Sequence, residues 1–227
     1  MIQTTEQAGV LPHLGRLEAE RLGHHYVGPE HLLLGLLHEG DDPIQHGDHL
    51  AGRLLRRHGL DYATVRAEID RLIASGVLPG PQPSDAELLA SLGIDLDAVD
   101  RRIQETFGWK AYYYAAQEVS LRSTHALPHA PLGGTPMVCW WVLRLAGDEA
   151  AARGSRIGIE HMLVGLLRDA QQPLETPSHH HDWRLRGLLG LPVRGPHPIR
   201  LVVEARGLSL DGLLTAALDE LDRQRSA

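Results

Sequence analysis

The 227-residue chain is 43% hydrophobic, enough to fill a core without staples. Its formal charge of −7 offers no general positive field to a phosphate backbone, so nucleic acid is not the expected partner. Cys139 is the one cysteine and permits no internal disulfide; no run approaches the ~20 apolar residues of a membrane helix, and the first residues lack a basic-then-apolar leader, so a cytoplasmic protein with no membrane partner is expected.

In chain order, apolar residues recur at spacings of three and four, with no sustained alternation of period two. The spacing predicts helices over 3–22, 29–39, 47–58, 62–74, 84–91, 96–106, 110–123, 137–153, 159–169, 182–189, 198–206 and 210–224. Pro29 opens one, with Leu32, Leu33, Leu36 and Leu37 on a shared face; Asp61 caps another, carrying Val65, Ile69 and Leu72. Glycine- and proline-rich stretches at 80–84, 125–136, 171–181 and 191–198 separate these pieces. Lys110, the single lysine, follows no glycine-rich turn, so a Walker-type phosphate loop is not expected.

Self-similarity organises the helices. VGPEHLLLGLLHEG at 27–40 recurs as IGIEHMLVGLLRDA at 157–170, which maps Gly28, Glu30, His31 and Gly35 onto Gly158, Glu160, His161 and Gly165. A second unit begins at Gly59, Gly93 and Gly207: each glycine ends one helix and an Asp or Ser two residues on caps the next.

The segment LEAERLGHHYVGPEHLLLGLLHEG resembles the repeat that opens the N-terminal domain of ClpC and ClpA unfoldases, and EAAARGSRIGIEHMLVGLLRD is similar to a second copy. The resemblance implies an all-α, pseudo-twofold double Clp repeat: repeat 1 over 1–76, a linker with a partial repeat-like segment over 77–130, and repeat 2 over 131–227. The AAA+ modules of that family have no counterpart here. The implied function is a non-catalytic protein-binding module, taking substrates, adaptors or peptide-like ligands and modulating a Clp unfoldase or protease system. A DNA-associated regulator using Arg53, Arg56 and Arg57 is the alternative, against which the acidic total stands.

In that family the glutamate of each repeat contacts phosphoarginine with help from a threonine. Carried over, this gives Glu30 with Thr5 and Glu160 with Thr135, since each threonine precedes its glutamate by 25 positions (30 − 5 and 160 − 135). Pro29 and Ile159 depart from the family's threonine, and Gln7 and Met137 stand where a basic residue would meet the phosphate. Plain guanidinium, accepted bidentately by a carboxylate in a groove between the halves, is therefore the expected ligand. Both glutamates also suit the first turn of a helix, and His31 and His161 are expected to pack their rings and bridge each helix start to a neighbouring loop carbonyl.

Adjacent His179, His180 and His181 lack the i,i+4 spacing of a built metal site, so no metal or other cofactor is expected. No nucleophile elbow is present, and Cys139 lies in an apolar run, so no catalysis is expected. Tyr112, Tyr113, Trp140 and Trp141 belong to a concentration of aromatics in which neighbours on a helix point ~100° apart, which marks them as candidate interface residues.

Overall fold

The computed structural model describes residues 4–24, 26–38, 49–81, 87, 90–95, 98–99, 101–108, 137–172 and 195–226. Helix α1 (Glu6–Arg21) is capped by Thr5, whose Oγ1 accepts from the Ala8 N–H at 3.3 Å. Helix α2 is Pro29–Leu37, α3 is Leu50–Arg57 and α4 is Tyr62–Ala74; α5 is Met137–Ala152, α6 is Ile159–Gln171, α7 is Pro198–Ala205 and α8 is Leu210–Ser226. Residues 101–108 are helical too. The architecture is all-α; among the described residues the one β-bridge joins Thr4 and Ile157. The helices expected at 110–123 and 182–189 lie outside the described residues.

The two sets of four helices repeat each other, with an offset that changes along the chain. From α1 to α5 it is 131 (137 − 6 and 152 − 21), from Gly28 to Gly158 it is 130, and from α3 to α7 and α4 to α8 it is 148 (198 − 50 and 210 − 62). Gly23 and Gly154, at φ 69 and φ 63, close α1 and α5 in the left-handed conformation that glycine adopts without a Cβ penalty. Their own offset of 131 places the one-residue deletion after Ser155, between the helix end and the next helix start.

That register is visible in the core. Ala8, Leu11, Glu18 and Ala19 are buried on α1, and Cys139, Val142, Glu149 and Ala150, each 131 later, are buried on α5. The hairpins close tightly at glycines: a Cβ on Gly35 would lie 3.1 Å from the Gly15 nitrogen, and one on Gly165 would lie 2.5 Å from the Val142 carbonyl oxygen. All nine residues of α2 are buried, so its leucines contribute about 1.5–3 kcal/mol each.

Helix α7 packs on α2 and α4, α3 packs on α6 and α8, and α2 packs on α6. Each half therefore places its third helix on the other half. Leu33, Leu55 and Ile69 belong to the same apolar cluster as Leu163, Val203 and Leu213.

Buried glutamates occupy matching places. Glu18 accepts from the Tyr62 hydroxyl at 2.6 Å and from Arg21 at 2.6 Å, and lies 2.9 Å from His38 Nδ1. Its counterpart Glu149 is paired with Arg153 and Arg168. Arg168 stands 130 residues after His38, so a titratable partner in one repeat is a permanent cation in the other.

Candidate functional site

The starts of α2 and α6 are built alike from Gly-x-Glu-His. The Gly28 N–H donates to His31 Nδ1 at 2.7 Å, and the Gly158 N–H donates to His161 Nδ1 at 3.0 Å. The histidine thus satisfies a backbone donor that a glycine cap leaves open. Glu30 and Glu160 fold back over these glycines, and any Cβ at 28 or 158 would fall on the carboxylate. In that position the carboxylate meets the positive end of its own helix.

The outer ring nitrogens find different partners. His31 Nε2 lies 2.9 Å from His24 Nδ1, and the His24 ring stacks on Tyr26 with centroids 5.1 Å apart. His161 Nε2 lies 3.2 Å from Ser155 Oγ, which donates to the Ala150 carbonyl at 3.3 Å. Both histidines do bridge the helix start to the preceding loop, but the loop partner is a ring in one repeat and a hydroxyl in the other rather than the expected carbonyl. The Glu30 side chain is 2% exposed, whereas the Glu160 side chain is 24% exposed.

Both carboxyls are held below the ordinary glutamate value. Burial pushes Glu30 up, but His31, its own backbone N–H, His24 and Tyr26 outweigh it. At Glu160 burial also pushes up and is outweighed by His161, the backbone N–H and, from the other repeat, His49. Both sites are carboxylates at neutral pH, and only one meets solvent.

His24, Glu30 and His31 bring potential metal-ligand atoms within 4.8 Å of one another. Accepting the Gly28 N–H at Nδ1 and turning Nε2 to His24 Nδ1 at 2.9 Å, His31 has both ring nitrogens engaged in hydrogen bonds. We read this cluster as a buried hydrogen-bond chain. His179, His180 and His181 lie outside the described residues.

The threonines are arranged differently from the spacing rule. The Thr5 N–H donates to the Ile157 carbonyl at 2.8 Å and Arg156 reaches the Thr4 carbonyl at 2.6 Å, so Thr5 sits beside the helix start that carries Glu160 rather than Glu30. A spacing of 25 assumes that each site lies within one repeat, whereas the interlocked halves bring α1 of one to α6 of the other. The helical register also puts Val138, not Met137, opposite Gln7 (7 + 131). Thr135, Tyr112 and Tyr113 lie outside the described residues. Gln7 is exposed.

Trp140 is exposed, and Trp141 is half-buried with the Arg144 guanidinium 5.2 Å from its ring centroid. Arg57, from the basic cluster on α3, pairs with Glu220 at 3.5 Å. His49, which the sequence reading passed over, caps α3 by accepting the Gly52 N–H at 3.1 Å. Its signal was present: His49 and His197 stand ten residues before Gly59 and Gly207, the glycines of the repeated unit.

The family model of the Clp repeat (R) N-terminal domain matches residues 3–86. Over those residues the chain is similar to a Clp repeat N-terminal domain. The chain is 29% identical over 168 residues to the chaperone protein ClpB of Oceanobacillus iheyensis, covering 74% of this chain and 14% of that protein. Over the same length it is 28% identical to the negative regulator of genetic competence ClpC/MecB of Bacillus subtilis, again with 74% and 14% covered. A probable ATP-dependent Clp protease ATP-binding subunit of Chlamydia pneumoniae is 42% identical over 72 residues, 32% of this chain and 8% of that one. The chain thus spans at most about a seventh of the length of these relatives. No helix among the described residues is long and apolar enough to cross a membrane.

Proposed function

We propose that this Clp N-type chain is a non-catalytic protein-binding module of the cytoplasm that takes substrates, adaptors or peptide-like ligands and modulates a Clp unfoldase or protease system. The observation that carries the reading is the solvent-reached Glu160 carboxylate at the start of α6, beside the Thr5 end of α1. A charged carboxylate set between two repeats suits a guanidinium of a partner protein. With Gln7 where a cation would compensate a phosphate, plain arginine is preferred over phosphoarginine. We assign residues 1–76 and 131–227 as the two repeats, joined by 77–130.

The test is a pull-down from native lysate with the purified chain and its Glu160→Gln variant. Partners held by the wild type should be lost from the variant, while Glu30→Gln should keep them because Glu30 is sealed. Retention of every partner by Glu160→Gln would remove the site. The purified chain should hydrolyse neither ATP nor peptides; an activity that follows the protein peak through repurification would end the non-catalytic reading.

A further inference from the structure

We infer that the middle copy of the thrice-repeated unit, the one that begins at Gly93, is a docking surface for a basic amphipathic helix of a partner protein, separate from the Glu160 site.

The unit at Gly59 leads into α4 and the unit at Gly207 into α8, so the fold uses two copies while the chain carries three. All three turns are built alike. Gly59, Gly93 and Gly207 stand at φ 74, φ 79 and φ 70, and each N–H donates to the carbonyl three residues back at 2.9 Å. Two residues after each glycine, Asp61 Oδ1, Asp95 Oδ1 and Ser209 Oγ accept the N–H of Thr64, Ala98 and Gly212 at 2.7, 3.0 and 3.3 Å. The chain after Asp95 is helical through 98–99 and 101–108. The middle copy is thus folded as the outer two are.

Its apolar positions are not covered as theirs are. Val65 and Leu213 are 0% and 2% exposed, whereas Val99, their equivalent (99 − 65 = 34 and 213 − 99 = 114), is 41% exposed. Leu221 is buried on α8, while Phe107 at the same place in the middle copy is 68% exposed. Four of the six large apolar side chains exposed among the described residues, Leu92, Ile94, Val99 and Phe107, lie in this one stretch. Val99 and Phe107, eight residues apart, share a side of the helix. Exposed apolar surface concentrated in this way marks an interaction site.

Two observations fix the occupant. In the outer copies that side is covered by a helix, since α4 packs on α2 and α8 packs on α6, the buried apolar helices of their repeats. The middle copy therefore presents a face that fits the apolar side of a helix. Charge supplies the flanks. Residues 84–108 hold six acidic residues against Arg101 and Arg102, a net −4 of the whole chain's −7, and Arg102 already pairs with Glu105 at 3.4 Å. A second copy of this chain pairing through the same face would meet its own acidic surface and be repelled. A helix with lysine or arginine beside its apolar side is attracted.

The experiment titrates the intact chain calorimetrically with an amidated peptide of about 14 residues, made of leucine and lysine with the leucines at helical spacing. Wild type should bind it, and Val99→Ser/Phe107→Ser should bind about tenfold more weakly through the loss of two apolar anchors. Both side chains are exposed, so the circular dichroism and denaturation midpoint of the double variant should be those of wild type. Leu92→Ser, at the most exposed of the four, serves as a second variant and should weaken binding in the same direction. Glu160→Gln should bind as wild type does. A peptide with glutamate in place of every lysine should not bind, and one of the same composition with its leucines spread around the helix should bind at least about tenfold more weakly.

Binding that is absent from wild type, unchanged in all three serine substitutions, lost in Glu160→Gln, or equal for the glutamate or the spread peptide overturns the proposal. So does a wild-type chain that sediments as a dimer and becomes monomeric on Val99→Ser/Phe107→Ser, because the face is then taken by a second copy.

Discussion

The two Gly-x-Glu-His helix starts have nearly the same local chemistry and opposite exposure. In repeat 1 His24 and Tyr26 stack beside the helix start and Glu30 is buried; in repeat 2, where the stretch is one residue shorter and Ser155 takes the place of the ring, Glu160 keeps contact with solvent. Duplication has kept what each helix needs, namely a bonded cap and a carboxylate on the dipole. The loop length, which no helix needs, separates a structural carboxylate from one that can meet a ligand.

The strongest way to break the comparison is to ask whether the repeats are separate bodies. Leu33→Ala and Leu163→Ala each remove a buried side chain from the same cluster, so each should cost about 2–5 kcal/mol in the unfolding free energy of the whole chain. Chemical denaturation followed by circular dichroism should show one shifted transition in either variant. Two transitions, with only the mutated half displaced, would mean that α3 and α7 do not couple the halves.

Exchanging the loop residue sharpens the contrast. His24→Ser gives repeat 1 the residue that repeat 2 already uses, and removes the stacking on Tyr26 together with a buried bond. We expect a loss of roughly 1–3 kcal/mol. Ser155→Ala removes the hydroxyl of an exposed residue and should cost less, at most roughly 1 kcal/mol, both read by denaturant melts.

The acid limb of stability distinguishes the glutamates next. A carboxyl held lower in the fold than in the open chain adds stability that is fully present above its unfolded value and is lost as pH falls through its folded value. The unfolded reference is 4.5, so stability should decline below about pH 5. Glu160→Gln should flatten part of that decline. An unchanged acid limb would show that His161, the backbone and His49 do not hold the carboxyl low.

How much of this was readable beforehand follows from which interactions are local. Helix spans and caps were legible because apolar spacing, Asp61 and the glycines act within a few residues. The equivalence of Glu30 with Glu160 was legible because 27–40 and 157–170 align without gaps. The pairing of Thr5 with the Glu160 side was not, since it depends on α1 crossing to the other repeat, and a count along one repeat cannot show that. Nor was the burial of Glu30, which is a matter of tertiary packing that differs from its counterpart despite the same local motif. His49 escaped notice because its role is a long-range charge effect from a residue that locally only caps a helix.

The smallest effect concerns Cys139, and it tests the register on which the comparison stands. An offset of 131 puts this cysteine at the place of Ala8, on the face that α5 turns to α6. Burial pushes its thiol up to about 12, so almost no thiolate exists at pH 8. A chromogenic disulfide reagent should therefore leave the native chain unlabelled over hours and label it within minutes in denaturant. Cys139→Ala installs the residue that repeat 1 carries at this site, and the change should cost under about 1.5 kcal/mol if the surroundings match. An offset of 130 would instead place the cysteine opposite exposed Gly9, where the thiol would react in the native state and the substitution would cost nothing. Fast native labelling would thus undo the helical register, and with it the placement of Val138 opposite Gln7.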